Sequence, residues 1–303
     1  LATGGSARKL NIRGADAANV HYLRTRDDAV RMAADLVDGA RIVVVGMGVI
    51  GAEVAASATK LGCKVTAIEP LAGPMIRSLG PQFSQWLGEE HRNRGVDTRF
   101  GRGVSGMRVV DGRVSEVELD DGSLVACDAV VVGVGIAPEV GLAKGAGIAT
   151  DNGIVVNREC RTSHPNVFAA GDVAQQESFF GGRIRHETYQ NAAEQADAAA
   201  LAMLGHESDY CRPAWFWSDQ FDLNIQFCGH IPVDAEVTVR GQIESNAFAA
   251  FFRFDDVIVG ALTVNRPAEM SIGKRLVERR HHASADQLGD PDFSLRELLK
   301  PAR

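Results

Sequence analysis

The stretch that decides the fold is Arg41-Ile-Val-Val-Val-Gly46-Met-Gly48-Val-Ile-Gly51-Ala-Glu53. After Arg41 come four apolar, β-branched residues, which predict a strand buried on both faces, as in a parallel sheet. Residues 52–61 favour a helix that Gly62 ends. Residues 64–69 predict a second strand, with an acidic residue at its end.

The three glycines have the G-x-G-x-x-G spacing, and each has a physical reason. Gly46 permits a tight turn, Gly48 lets the backbone approach a pyrophosphate, and Gly51 lets helix and strand pack closely. The helix N-terminus offers unpaired amides and a positive dipole end to the phosphates. Glu69 can accept hydrogen bonds from a ribose diol and would repel a 2′-phosphate. The stretch therefore predicts a dinucleotide site that prefers NAD to NADP, with a glycine-rich structural turn as the alternative.

Composition narrows the class of protein. The 303 residues are enough for about two or three domains, and the net charge of −7 argues against a nucleic-acid binder. No apolar run approaches the length of a membrane span. The five cysteines are scattered and odd in number, which predicts reduced thiols, a cytoplasmic location, no metal cluster and no redox-active pair. Because the chain starts at Leu1, in what reads as a strand entering a glycine turn, we expect further sequence before it.

The remaining chain alternates between two kinds of pattern. A helix is predicted to begin at a capping box formed by Thr25 and Asp28 and to end at Gly39, and further helices are predicted over residues 81–94, 186–204 and 266–280. Short alternating strands are predicted over 104–110, 113–119 and 124–126, joined by Asp-Gly turns at 111–112 and 121–122. Buried strands are predicted over 128–133 and 166–172, a hairpin turn over 150–156, and an antiparallel sheet from 216–227, 248–254 and 257–264. Residues 21–138 thus form one α/β unit with an inserted β-meander.

A second set of motifs carries a family resemblance. Three are typical of a split flavin domain: residues 3–5 (Thr-Gly-Gly), 167–174 (Val-Phe-Ala-Ala-Gly-Asp-Val-Ala) and 186–192 (His-Glu-x-x-x-Asn-Ala). Four narrow the branch: residues 22–29 (Tyr-Leu-Arg-Thr-x-x-Asp-Ala), 133–138 (Gly-Val-Gly-Ile-Ala-Pro), 216–220 (Phe-Trp-Ser-Asp-Gln) and 265–267 (Asn-Arg-Pro). With these motifs the chain resembles, over its whole length, the FAD-dependent NADH:ferredoxin reductases of oxygenase systems, in the pyridine nucleotide-disulfide oxidoreductase superfamily.

The resemblance implies an α/β fold with two Rossmann-like dinucleotide-binding domains and a C-terminal α+β domain. Residues 1–20 and 139–212 would belong to the FAD domain, which is incomplete here because its first βαβ unit would precede Leu1. Residues 21–138 would form the NAD domain, and 213–303 the C-terminal reductase domain.

The resemblance also assigns flavin contacts. Gly171 and Asp172 would bind the ribityl chain, although Asp172 could instead be an N-cap. Arg24 would neutralise the pyrophosphate, although it could be a solvated charge. The helix start at Tyr189 would face the flavin pyrimidine ring. The remaining assigned contacts are Thr3 and Gly4 at the domain crossing and Trp217 beside the isoalloxazine, with a core role for Trp217 and the choice of Trp215 as alternatives.

The nicotinamide site would follow the glycine loop. Glu53 would orient the carboxamide, or would only complement the helix dipole. The remaining cofactor-binding residues would be Val49 and Ile50 in the loop and Gly133, Gly135 and Ile136 in the opposite wall. No side chain is expected to act as acid, base or nucleophile, because the cofactors carry the chemistry. His164, His186 and His230 are isolated, so ordinary structural histidines are favoured over ligands.

The predicted function is electron transfer from NADH through FAD to a ferredoxin- or rubredoxin-type iron–sulfur protein. A disulfide-type reductase of the same superfamily is one alternative, and a non-catalytic NAD-binding or redox-sensing module is another. The basic run at residues 274–282 favours a solvated helix face. A second hypothesis is that this run, with Arg266, steers an acidic partner.

Overall fold

A computed structural model describes residues 1–300, and these form two compact units. One unit contains residues 6–137 with 219–222, and the other contains residues 1–5, 138–218 and 223–300. Among the described residues, no helix has both the length and the hydrophobicity to cross a membrane.

Most strand pairs from residue 104 onwards are antiparallel, whereas strands and helices alternate before it. The elements are given in two sets, divided at residue 140. Up to residue 140 they are β1 (Gly5–Ala7), β2 (Val20–Tyr22), α1 (Arg26–Ala33), β3 (Arg41–Val45), α2 (Val49–Lys60), β4 (Lys64–Glu69), α3 (Ile76–Asn93), β5 (Asp97–Phe100), β6 (Val104–Val110), β7 (Arg113–Leu119), β8 (Leu124–Ala126), β9 (Ala129–Val132) and β10 (Ile136–Pro138). After it they are α4 (Gly141–Gly145), β11 (Thr150–Asp151), β12 (Gly153–Val155), β13 (Ala174–Glu177), β14 (Arg183–Ile184), α5 (Tyr189–Met203), β15 (Trp215–Gln220), β16 (Leu223–Gly229), β17 (Glu236–Gln242), β18 (Ala247–Phe254), β19 (Val257–Val264), α6 (Pro267–Glu278) and α7 (Ala285–Gly289).

The first unit is built on a five-stranded parallel sheet in the order β2-β9-β3-β4-β5. Two of its three inner strands, β3 and β9, are Val-rich and buried because neighbouring elements cover both faces. The inserted meander β6-β7-β8 shares a hydrophobic core with this sheet through Met107, Val114 and Val117. Strands therefore end side by side at one edge, where the glycine loop follows β3 and Glu69 ends β4.

The second unit contains a five-stranded sheet in the order β15-β16-β19-β18-β17 and a smaller sheet in the order β11-β12-β13-β14. Helix α6 packs on the larger sheet around Phe251, Ala261 and Leu276, which are fully buried. A 3₁₀ helix, Gly171–Val173, leads directly into β13, and α5 packs against it.

Three sequence-based boundaries are corrected by the structure. The predicted strand at 166–172 is a buried extended segment with a single bridge, Arg161 to Phe168, and it ends in the 3₁₀ helix rather than in a regular strand. Helix α5 starts at Tyr189 instead of His186 because the side chain of Thr188 accepts the amide of Asn191 as an N-cap. Helix α1 ends at Ala33, well before Gly39.

Candidate functional site

The glycine loop after β3 is shaped by contacts that no larger residue allows. Gly46 has a φ of +89°, and a Cβ added there would lie 2.6 Å from the carbonyl oxygen of Gly133. A Cβ on Gly51 would lie 1.8 Å from the carbonyl oxygen of Gly46. Gly46, Gly51 and Gly133 thus form one close contact between the loop, the start of α2 and the end of β9, as the predicted pairing of Gly133 with this loop requires.

Gly48 differs because it faces open space. It is the N-cap of α2, and a Cβ added there would meet none of the described atoms within 4 Å. Gly48 has no side chain to cap the first-turn amides, and Val49 and Ile50 follow with half-buried and exposed side chains. A helix N-terminus beside such a free space fits a pyrophosphate.

Glu69 lies at the end of β4 and is buried. One carboxylate oxygen accepts the amide of Met47 at 2.8 Å, and the other accepts the amide of Leu71 at 3.0 Å. Each oxygen keeps a second acceptor position, so the carboxylate can still receive a ribose hydroxyl. The contact to Met47 ties the acid to the glycine loop, which spacing alone does not reveal.

Glu53 lies one turn further into α2 than the sequence analysis assumed. The helix starts at Val49, so Glu53 is in its second turn and is half-buried. Because dipole stabilisation falls off within the first turn, a role as a simple dipole partner is weakened.

The residues after β9 are fixed by Arg8. Its amide donates to the carbonyl of Gly135 and its side-chain Nε donates to the carbonyl of Ile136, both at 2.9 Å. Gly135 has a φ of +91°, and Ile136 is buried. Arg24, in the same unit, is exposed just before α1, and its amide donates to Asp28 at 3.1 Å.

The second unit holds the remaining predicted residues in three groups: Gly171 with Asp172, Thr3 with Gly4, and Tyr189 with Trp217. Gly171 and Asp172 form the 3₁₀ helix, where Gly171 has a φ of +79° and its amide donates to Oε1 of Gln195 at 2.8 Å. Thr3 donates its hydroxyl to the carbonyl of Glu139 at 2.6 Å, and the carbonyl of Gly4 accepts the amide of Glu139 at 2.9 Å.

Tyr189 and Trp217 are brought together at the start of α5. Their rings meet edge to face with centroids 6.3 Å apart, and Tyr189 is 79% exposed while Trp217 is 40% exposed. Trp215 lies 5.3 Å from Trp217, and the Lys274 ammonium is 3.9 Å from the centre of the Trp215 ring. Exposed aromatic rings beside a helix N-terminus fit a planar, electron-accepting ring system. No sequence motif indicated that Lys274 lies over Trp215.

The isolated histidines and cysteines form no further site. Among residues 1–300, no group of three or more potential metal ligands is present. His186 is buried, and burial lowers its pKa to about 4, so it is neutral at pH 7. Burial also raises the pKa of the Cys127 and Cys160 thiols to about 11.

A cleft of about 460 Å³ lies at the opposite edge of the parallel sheet, where Arg41, Lys64 and Asp97 begin their strands. Ligands of open α/β sheets bind at the carboxyl ends of the strands, so we do not place the dinucleotide in this cleft.

The fold and both glycine-bearing turns together define an α/β dinucleotide-binding oxidoreductase. Two family models match the chain: "Pyridine nucleotide-disulphide oxidoreductase" over residues 1–196 and "Reductase C-terminal" over residues 215–299. The chain therefore belongs to the pyridine nucleotide-disulphide oxidoreductase family.

Individual proteins are similar to this chain over nearly its whole length. It is similar to rhodocoxin reductase of Rhodococcus erythropolis, with 35% identity over 98% of this chain and 70% of the relative. It is also similar to the ferredoxin–NAD(+) reductase component of the p-cumate 2,3-dioxygenase system of Pseudomonas putida. The identity is 38% over 98% of this chain and 73% of the relative. The structure of the covalent putidaredoxin reductase–putidaredoxin complex matches with a TM-score of 0.94 at 35% identity, covering 99% of this chain and 73% of that one.

These likenesses confirm the predicted family and the predicted α/β fold class with its C-terminal domain. The cofactor role of each individual residue stays a prediction.

Proposed function

We propose that this chain carries electrons from NADH through FAD to a small ferredoxin- or rubredoxin-type iron–sulfur protein. The observation that carries the proposal is the likeness, over 98–99% of the chain, to reductases whose names specify a ferredoxin, rhodocoxin or putidaredoxin. The chain is an oxidoreductase of a family that uses a pyridine nucleotide and FAD. A cytoplasmic location accords with this partner and with five free thiols.

In this proposal each domain has its own binding role. Residues 21–138 bind NAD, residues 1–20 and 139–212 contribute to the FAD site, and residues 213–303 form the reductase domain. When bound, the nicotinamide donates a hydride, and FAD splits the electron pair into single-electron transfers.

The chain's own residues act by binding and orientation. The open space at Gly48 and the first-turn amides of α2 receive the NADH pyrophosphate. Glu69 accepts the adenosine ribose hydroxyls, and its negative charge repels the 2′-phosphate of NADPH. Glu53 orients the carboxamide opposite Gly133, Gly135 and Ile136.

The proposed flavin contacts in the second unit come from three groups of residues. Asp172 accepts a ribityl hydroxyl, and Thr3 and Gly4 contact the flavin where the chain crosses between domains. The N-terminus of α5 at Tyr189 stabilises negative charge on the pyrimidine ring, and Trp217 packs against the ring system.

The decisive measurement is the visible spectrum of the complete gene product before and after anaerobic NADH. A flavin spectrum that NADH bleaches, followed by reduction of an added ferredoxin, is the expected result. NADH binding without flavin would favour a non-catalytic NAD-binding module and overturn the proposal. Reduction of small disulfides in place of ferredoxin would instead assign a disulfide-type reductase.

A further inference from the structure

Arg185 is a charged residue buried almost completely beside the turn that carries Asp172. Its side chain is 5% exposed and has three acceptors. The guanidinium donates to the carbonyl of Asp172 and to the carbonyl of Asn152, both at 3.0 Å, and pairs with the carboxylate of Glu187 at 2.7 Å. Burying a guanidinium is unfavourable unless its donors are satisfied, and here two of its partners are main-chain carbonyls.

Gln195 binds the same turn from the side of α5. It is fully buried, and its Oε1 accepts the amide of Gly171 at 2.8 Å. Its amide nitrogen donates to the buried side chain of Gln176. Asn191 joins this network and accepts the hydroxyl of Tyr210 at 3.1 Å.

Gly153 provides the space that the Arg185 side chain needs beside the turn. Its φ is +133°, and a Cβ there would lie 2.6 Å from the carbonyl oxygen of Val173 and 3.0 Å from Cδ of Arg185. The tip of the β11–β12 hairpin therefore packs directly against the turn. The backbone of Gly171–Val173 is bonded at its first amide by Gln195 and at its second carbonyl by Arg185.

We propose that Arg185 and Gln195 are positioning residues, which hold the 3₁₀ turn so that the Asp172 carboxylate is set to accept a hydroxyl of the flavin's polyol chain. This inference rests on the proposed function. Neither side chain needs to touch the flavin, because each acts on the backbone of the residues that do. Loss of either contact loosens the backbone that carries Asp172, which weakens binding.

The test compares Arg185→Gln and Gln195→Met with Arg183→Gln in the complete gene product. Arg183 is an exposed arginine in β14, two residues before Arg185, and it donates to the carbonyl of Val156 instead of to the turn at Gly171–Val173. Two readouts are used: hydrogen exchange of peptides covering residues 168–174 without cofactor, and the FAD dissociation constant from flavin fluorescence. We expect faster exchange and about tenfold weaker FAD binding in both variants, with the control unchanged. Arg185→Lys should restore only part of the affinity, since an ammonium lacks the planar fork.

The outcomes separate the two proposals. Wild-type FAD affinity and exchange in both variants would overturn this inference alone. Weaker binding in Arg183→Gln to the same extent would also overturn it, because the effect would then not depend on the turn. No FAD binding by the wild-type protein would overturn the proposed function, and this inference with it.

Discussion

Gly48 and Gly51 show that two glycines of one motif are required for different reasons. Gly51 is required by the chain itself, because any Cβ there collides with the main chain of Gly46. Gly48 has open space and an ordinary negative φ of −69°, so the protein alone tolerates a side chain there. In the proposed function, the NADH pyrophosphate supplies the requirement for glycine at this position.

We therefore expect Gly48→Ala and Gly51→Ala to behave differently. Gly48→Ala should keep the wild-type thermal midpoint within a few degrees while NADH affinity falls about tenfold, because the methyl group occupies the pyrophosphate space. Gly51→Ala should lose NADH binding and about 1–3 kcal/mol of stability, because the backbone must move. Differential scanning fluorimetry with and without NADH measures both. Equal destabilisation by the two substitutions would contradict this account.

His186 predicts a pH dependence of stability with a definite sign. Burial lowers its pKa in the folded chain to about 4, whereas the unfolded value is about 6.5. The unfolded state therefore binds the proton first, and stability falls as the pH drops from 6.5 towards 4. From pH 7 to pH 5 this histidine alone should cost about 2 kcal/mol.

Urea unfolding at both pH values tests this expectation. His186→Gln should show a loss smaller than the wild type by about that amount, since it has no proton to take up. The exposed His164 offers the control, and His164→Gln should lose as much stability as the wild type. An identical pH loss in His186→Gln would rule out the assignment.

At the scale of elements, local chemistry predicted the meander well. Strands β6, β7 and β8 have the predicted limits. The first Asp-Gly turn explains why, since Asp111 and Gly112 both have positive φ, +48° and +79°, as a tight hairpin turn needs. The alternation of apolar residues and the turn residues predict the same strand limits there, so tertiary contacts did not shift them.

Other elements depend on partners distant in sequence. Helix α1 stops early, and the following Asp35 accepts His21 at 2.8 Å and Arg113 at 2.8 Å instead of continuing the helix. Strand β17 was not predicted, because its residues are half-exposed at the sheet edge and lack a clear apolar alternation. The extended segment at 166–170 is bonded by Leu1, whose amino group and carbonyl contact Phe168 and Ala170.

Several basic residues around α6 have partners within the protein. Arg266 pairs with Glu269, Arg279 donates to the carbonyl of Leu299, and Arg280 donates to that of Phe179. Lys274 lies over Trp215. These contacts give most of the run an internal role, so the exposed Arg275 is the better place to test electrostatic steering.

We expect Arg275→Glu to slow ferredoxin reduction several-fold at low ionic strength and to have little effect at high salt, because steering between exposed charges is screened. Lys144→Glu is the matched control, since both cations lie in the last turn of an exposed helix end. Stopped-flow rates at three salt concentrations measure the effect. A salt dependence equal to that of the wild type would argue for a solvated face only.

At the scale of the whole molecule, the sequence predicted which residues surround each glycine turn, and the structure adds what holds them. Spacing indicated Glu69 and the family resemblance indicated Asp172, because both belong to recognisable motifs. Arg8, Arg185 and Gln195 carry no such signal, since an arginine or glutamine that binds a main-chain carbonyl or amide has no fixed sequence distance from it.

The five thiols lead to a prediction about the whole chain. Burial raises the pKa of Cys127 and Cys160 to about 11 and that of Cys228 to about 12, and the pKa values of Cys63 and Cys211 are raised as well. At a pKa of 11, about one thiol in ten thousand is ionised at pH 7, so alkylation should be slow. Iodoacetamide labelling with peptide mapping should show the half-buried Cys211 reacting first. A rapidly labelled pair would point to disulfide chemistry.

The two hydrogen bonds that Glu69 accepts from the amides of Met47 and Leu71 have a consequence for the evolution of coenzyme preference. A substitution that removes this carboxylate to admit a phosphorylated ribose also leaves both amides without this acceptor, and the Met47 amide belongs to the glycine loop. A single substitution towards NADPH should therefore weaken NADH binding before NADPH binds well. Libraries that vary Glu69 together with residues 70–72 should yield NADPH users that libraries at Glu69 alone do not.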